Sequence, residues 1–447
     1  MDPVLLARLQ FALTVGFHFI FPSITIGLAW LLVVIEGIGW RTRDEIWIRA
    51  GKFFGGIFAL TFAVGVATGI VMEFQFGTNW ASYSRFVGDI FGAPLAAEGV
   101  FAFFLESGFL GLYLFGRKRI SAGAHWFSIL MVAVGATISA FWIIVANSWQ
   151  QTPAGYTINR ELGRAELSSF AEAVFNPSTL PRYFHTVSAS LVTACFFMAG
   201  ISAILLLSSR GVAVARNTIS LAVIVGLAAS ILVAFPSGHE HAQQVAATQP
   251  EKFAAIEGLY TGYDQGAPLV LFALPTTPPP ELRAPVEIPK MLSWLAFGDV
   301  NYPVKGLGDF PPDRVPRGAE LWLSFVSFHN MVLLGMYFIV LMGLAVFLLW
   351  RGCLFQKRRM LKMLAFSIPL PIAACQLGWM AAEVGRQPWI VYGLLKTREA
   401  ASVTVGAAEI LFSIILFGLI YLLLGALWLY LLKRKIQTVP LDQMEVA

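Results

Sequence analysis

The sequence predicts an all-α, polytopic integral membrane bundle of about nine helices, with the N-terminus outside and the C-terminus inside. Composition, the spacing of long apolar runs and a one-sided distribution of Lys and Arg together make that prediction. Of the 447 residues, 57% are hydrophobic and 13% charged, about half the charged fraction of an ordinary soluble domain. Water is therefore not the main solvent of this chain.

A bilayer crossing takes about 20 apolar residues, and such runs are found near 10–36, 53–76, 94–116, 124–148, 184–208, 217–236, 322–350, 361–381 and 407–432. The first run follows Met1-Asp2-Pro3 with no basic segment before it and no small-residue cleavage site after it, so it is expected to be a retained helix. Orientation follows from the loops, because cytoplasmic loops carry the excess of Lys and Arg. Arg41, Arg43, Arg49 and Lys52 follow the first run, and Arg117, Lys118 and Arg119 follow the third. Arg210 and Arg216 follow the fifth, Arg351, Lys357, Arg358, Arg359 and Lys362 the seventh, and Lys433, Arg434 and Lys435 the ninth. Alternate loops are basic. The net charge of +5 is thus spent on orientation, and no nucleic-acid partner is expected.

A single membrane domain over 1–447 is expected, with no internal duplication. Its one large interruption, 236–320, lies on the outer side between the sixth and seventh helices. It is proline-rich (Pro278-Pro279-Pro280, Pro311-Pro312, Pro316), so most of it should be extended or irregular, while 250–258 suits a short helix. An ordered connection this long is usually functional. Cys195, Cys353 and Cys375 lie in or beside apolar segments without a paired spacing and read as packing residues.

Ionisable and ligand-type side chains in a bilayer are costly, which makes each a functional candidate. Four gather toward the outer face: His18, His185, Met331 and Glu383. Each also has a structural reading. Methionine packs, histidine bonds between helices, and Glu383 can pair with Arg386 three residues on. Copper or zinc centres need clustered His or Cys ligands, which this chain lacks. Isolated donors suit hemes, whose porphyrin supplies four nitrogens and leaves only axial positions to the protein.

Glu98 and Glu106 lie eight residues apart on the third helix, about 12 Å of rise and roughly 80° of rotation, so they can share one broad face as steps of a proton path. Glu73 sits at the outer end of the second helix. Lys252 and Glu257 are a cation and a carboxylate that could bind quinol hydroxyls and accept a proton, or simply an exposed pair on a short helix.

Several segments carry a family resemblance: Ala7-Arg-Leu-Gln-Phe-Ala-Leu-Thr-Val-Gly-Phe-His-Phe19, Gly77-Thr-Asn-Trp80, Asn147-Ser-Trp-Gln-Gln-Thr-Pro-Ala-Gly155 and Gly385-Arg-Gln-Pro-Trp389. Over nearly its whole length the chain resembles subunit I of the cytochrome bd-type quinol oxidases, in the branch with a short quinol loop. The resemblance implies a quinol:oxygen oxidoreductase of the bacterial cytoplasmic (inner) membrane that is electrogenic without pumping protons. It implies a low-spin heme b held by His185 and Met331, a high-spin heme b at Glu383, and heme d or a third heme b at His18. Arg386 and Trp379 are expected to line these cofactor sites. Glu98 and Glu106 are expected near the oxygen site and its proton supply, and Lys252 and Glu257 at the quinol. Partners implied are ubiquinol or menaquinol, O2, a second large membrane subunit, a small single-helix subunit and the lipid bilayer. Where some members have an arginine two residues before the methionine ligand, this chain has His329, so charge compensation of a heme propionate there would depend on histidine protonation. Two alternatives are a membrane cytochrome that does not reduce oxygen and a proton-coupled transporter; the latter leaves His185 and Met331 unexplained.

Overall fold

The computed structural model describes residues 2–276, 280–438 and 441. Pro278 and Pro279 of the expected triple proline lie outside the described residues. Among the described residues, nine helices are long and apolar enough to cross a membrane. They are α1 (Pro3–Thr42), α2 (Glu45–Thr78), α3 (Ala81–Phe115), α4 (Ala122–Gln151), α5 (Thr179–Leu207), α6 (Val212–Thr248), α7 (Ala319–Trp350), α8 (Arg358–Val384) and α9 (Ala407–Thr438). Local chemistry fixes several starts. Asp2, Asp44 and Ser121 cap α1, α2 and α4 by accepting from the N–H groups of Val4, Ile46 and Ala124, which satisfies donors that a helix start leaves unpaired.

One boundary differs from the sequence reading. The sixth apolar run ends at 236, where the outer interruption was expected to begin. Instead α6 widens into a π-helical stretch at Val233–Ser237 and continues as α-helix over Gly238–Thr248. A wide turn of this kind accommodates the proline ring without ending the helix. The first part of the 236–320 segment is therefore an extension of α6. A second π-helical stretch, Glu98–Phe103, lies inside α3 and begins at one of the candidate carboxylates.

The short helix expected at 250–258 is present as Pro250–Glu257, closed by Gly258 at φ 72°. Part of the proline-rich remainder is more ordered than expected: Leu269–Thr276 pairs with Glu281–Ile288 as an antiparallel hairpin, Leu269 opposite Ile288. Two smaller hairpins, Tyr156–Asn159 with Arg164–Leu167 and Trp389–Val391 with Leu395–Lys396, cover the same end of the bundle.

The core lies where α1, α2, α4, α5 and α6 meet; α5 is the most enclosed helix, whereas α3 and α9 leave most of their surface open. Small residues allow the close contacts on which helix association in a bilayer depends. A Cβ at Gly27 of α1 would stand 2.7 Å from Ala194 Cβ and 2.8 Å from Leu191 Cα of α5. Gly27→Leu should therefore overpack the α1–α5 contact and lower stability by about 1–3 kcal/mol. Thermal melting of the purified protein checks this, with Gly88→Leu, at a site with open space around it, as the control that should melt normally.

Candidate functional site

The expected ligands sit in the half of the bundle that carries the hairpins. His18, on α1, faces α2, with Nδ1 3.0 Å from Thr68 Oγ1. The Thr68 hydroxyl donates its single hydrogen to the Val64 carbonyl at 2.9 Å, so toward His18 it acts as acceptor. His18 Nδ1 then carries the proton, and Nε2 keeps its lone pair for a metal. Met331 of α7 lies beside Gly378 of α8, where a Cβ would stand 2.6 Å from the thioether sulfur. Only glycine leaves the sulfur that approach. The ring of His185 on α5 faces that of His241 on the α6 extension, centroids 5.5 Å apart. Trp379 joins Phe11, Phe76 and Trp80 in an aromatic wall between α8, α1 and α2.

Glu383 is the hub of a buried polar network. It pairs with Arg386 and accepts from Asn147 Nδ2 and Gln151 Nε2, both at 3.3 Å. Arg386 also donates to Gln150 Oε1 at 3.1 Å, and Arg182 of α5 donates to Asn147. Lys252 enters the same network from outside the membrane helices, donating to Gln151 Oε1 at 3.0 Å. Gln151 thus bridges Lys252 and Glu383. Of the two readings of Lys252 and Glu257, the exposed charged pair is not what forms: both are buried. Burial, with Arg182 nearby, holds the Lys252 ammonium well below the usual lysine range. Burial alone pushes the Glu257 carboxyl up to about 8.

Glu98 accepts from Ser139 Oγ of α4 at 2.7 Å. Glu106, also buried, packs where Gly135 of α4 leaves room, a Cβ there standing 3.1 Å from Glu106 Cβ. Ser139 and Gly135 are four residues apart on α4, so the two carboxylates do face one stripe of that helix. Glu73 is exposed on α2. His329 has each ring nitrogen 3.0 Å from a carbonyl oxygen, those of Phe325 and Val270, and so ties α7 to the hairpin strand Leu269–Thr276. A neutral ring could donate to only one of the two.

Single-residue reasoning passed over Asn147, Gln150, Gln151, Arg182, His241 and Gln249. The first three stand in the quoted Asn147–Gly155 segment, and an amide-rich run at a helix end was the available signal. His241 was hidden because the sixth apolar run stops at 236, which put it in the outer segment.

Two observations bear on which group these donors fit. Several buried side-chain polar atoms without a hydrogen-bond partner belong to this network and its neighbours, among them His185 Nδ1, His241 Nε2, Arg182 Nη1, Arg386 Nε and Gln249 Nε2, and Glu257 Oε2 on the short helix is another. Native interiors rarely leave such atoms unpaired, so an acidic or hydroxyl-bearing ligand is the missing partner. Among the described residues no three His, Cys, Asp or Glu converge as a metal-binding group. Separate donors with unpaired cations around them fit iron porphyrins with acidic side groups. Fold and site together thus define a polytopic membrane redox protein built to hold hemes.

Comparison with known proteins makes that class specific. The family described as cytochrome bd terminal oxidase subunit I matches residues 6–440. The chain is 39% identical to cytochrome bd ubiquinol oxidase subunit 1 of Bacillus subtilis (strain 168), over 98% of this chain and 94% of that protein. It is 35% identical to cytochrome bd-II ubiquinol oxidase subunit 1 of Escherichia coli (strain K12), over 98% and 97%. The solved structure of bd oxidase from Geobacillus thermodenitrificans superposes with a TM-score of 0.91 at 31% identity, covering 98% of this chain and 99% of that one. The chain belongs to the cytochrome bd terminal oxidase subunit I family. It is the heme-bearing catalytic subunit of a quinol:oxygen oxidoreductase of the bacterial inner membrane, which removes the transporter and the non-oxidase cytochrome.

Proposed function

We propose that the outer segment binds a membrane quinol at Lys252 and Glu257, and that electrons and protons part company there. Two quinols and one O2 give two quinones and two waters, the protons of the quinols leaving outward and those of the waters arriving from inside. The observation that carries this reading is that Lys252 and Glu257 are both buried on one short helix, Lys252 tied to the Glu383 network through Gln151 and Glu257 Oε2 lacking a hydrogen-bond partner. A quinol hydroxyl supplies that partner. Lys252, held by burial toward the uncharged amine, orients a hydroxyl by hydrogen bonding, and Glu257 accepts a proton from it.

His185 and Met331 would hold a low-spin heme b, Glu383 a high-spin heme b, and His18 a second high-spin group, heme d or heme b. When bound, these irons supply the electron relay and the oxygen chemistry. Arg182 and Arg386 compensate acidic groups at this end of the bundle, and Trp379 lines it. Glu106 and Glu98 pass protons along the α4 stripe toward the oxygen site.

The basic residues support an N-outside, C-inside orientation. Arg117 at the end of α3 pairs with Glu36 on α1, and Arg210 after α5 donates to the Ile436 carbonyl of α9 at 2.8 Å, so these positively charged ends share one side. The carboxylate of Glu73 on the open face of α2, beside the open α3, calls for cover other than lipid. A second membrane subunit over that face supplies it, with room for a small single-helix subunit at the open α9. Alignment with the Escherichia coli relative runs over 501 residues against 450 for the Bacillus subtilis one, in keeping with a short quinol loop over 236–320.

The test is a pH profile. A proton acceptor with a pKa of about 8 is mostly protonated below that pH, so quinol turnover should rise about tenfold per unit as pH climbs toward 8, then level off. Glu257→Gln should abolish this rise and lower turnover, with heme content near normal. A rise that survives in Glu257→Gln would remove this residue as the acceptor.

A further inference from the structure

The carboxylate beside Lys252 has no part in the chemistry above, yet it is closely held. Glu251 is buried and accepts a hydrogen bond from Tyr392 Oη at 2.5 Å. It also forms an ion pair with Arg314 Nη2 at 3.0 Å. The two partners come from separate parts of the chain: Arg314 from the proline-rich stretch before α7, and Tyr392 from the turn of the hairpin after α8. Arg314 is half-exposed, so the cluster runs from the surface to the short helix Pro250–Glu257.

The decisive feature is where the Tyr392 backbone goes. Its N–H donates to the Gln150 carbonyl, at 2.9 Å, at the end of α4. The next residue, Gln151, accepts from Lys252. Two adjacent residues of the short helix are therefore tied to two adjacent residues of α4, Lys252 directly and Glu251 through Tyr392. Apolar packing of Phe253–Ile256 seats this helix on one side, and the two adjacent polar ties fix its register against the end of α4 on the other.

We propose that Glu251 is a positioning residue for the quinol site, its contacts with Tyr392 and Arg314 setting where Lys252 and Glu257 meet the quinol headgroup. This rests on the assignment of quinol to Lys252 and Glu257. Charged hydrogen bonds of this kind are the strong ones, and their loss shifts the helix without removing a group that touches quinol. The effect should fall on quinol affinity and leave the heme sites intact.

The experiment measures oxygen uptake by the assembled oxidase against the concentration of a short-chain quinol, together with its reduced-minus-oxidised spectrum. Glu251→Ala should raise KM for quinol by about tenfold or more, with the spectrum unchanged. Glu251→Gln retains an acceptor for Tyr392 Oη and should restore most of the affinity. Tyr392→Phe, which keeps the Arg314 ion pair, should give a smaller rise. A wild-type KM in Glu251→Ala, alongside a raised KM in Lys252→Met, overturns the positioning role while the quinol assignment stands. Wild-type kinetics in both Lys252→Met and Glu257→Gln would overturn the quinol assignment and the positioning role with it. Should Glu251→Ala fail to assemble, a wild-type KM in Tyr392→Phe overturns the proposal.

Discussion

Replacing Met331 by Leu abolishes the low-spin heme signal and leaves the high-spin signals largely in place. Leucine matches methionine closely in volume, so the packing of α7 against α8 survives such an exchange at a cost below about 1.5 kcal/mol. What is lost is the sulfur, the one donor α7 offers at a position that Gly378 keeps open. An iron holding only His185 would be five-coordinate and high-spin. Quinol-driven oxygen uptake should fall by more than about 100-fold, beyond the usual cost of losing a metal's outer-shell support. The reduced-minus-oxidised spectrum checks the assignment, and an unchanged low-spin band would remove Met331 from the ligand set.

Replacing Glu383 by Ala has the second large effect, and it falls on both cofactor and fold. Arg386 is buried against this carboxylate, and Arg182 and Lys252 join the same network one residue removed. Removing the carboxylate leaves buried positive charge without its counter-ion, a change that costs about 3–5 kcal/mol. The account therefore predicts loss of one high-spin heme signal together with a clear fall in melting temperature. Glu383→Gln, which keeps an acceptor for Arg386, should lose the heme signal with a smaller fall. Normal melting and a normal spectrum in Glu383→Ala would contradict both roles.

Glu383 was accessible from the sequence because a carboxylate is a costly group in an apolar run, whereas Met331 costs nothing there and its ligand role came only with the family resemblance. The nine crossings were legible because apolar length is a local property. The arrangement around the ligands was less so. Thr68 sets the tautomer of His18 from another helix, 50 positions along the chain, and nothing in the spacing of either residue announces it. The bound at 236 misled because the apolar run stops there while the helix continues through a widened turn that holds Pro236. The charged pair Lys252 and Glu257 looked like a solvated face, since eight residues of short helix do not say how much chain will cover them. The strands around 269–288 were hidden among prolines that sit at positions the hairpin tolerates.

All of these assignments depend on porphyrin iron being gripped near the outer face by single side chains from different helices. Its most direct test is absorption spectroscopy with pyridine hemochrome analysis on the purified oxidase, expressed in a host that makes the cofactors. Heme b bands from both low-spin and high-spin centres, with heme d or further heme b, and loss of the low-spin band in His185→Ala, are the predicted result. A colourless, iron-free protein, or a low-spin band that persists without His185, would contradict it.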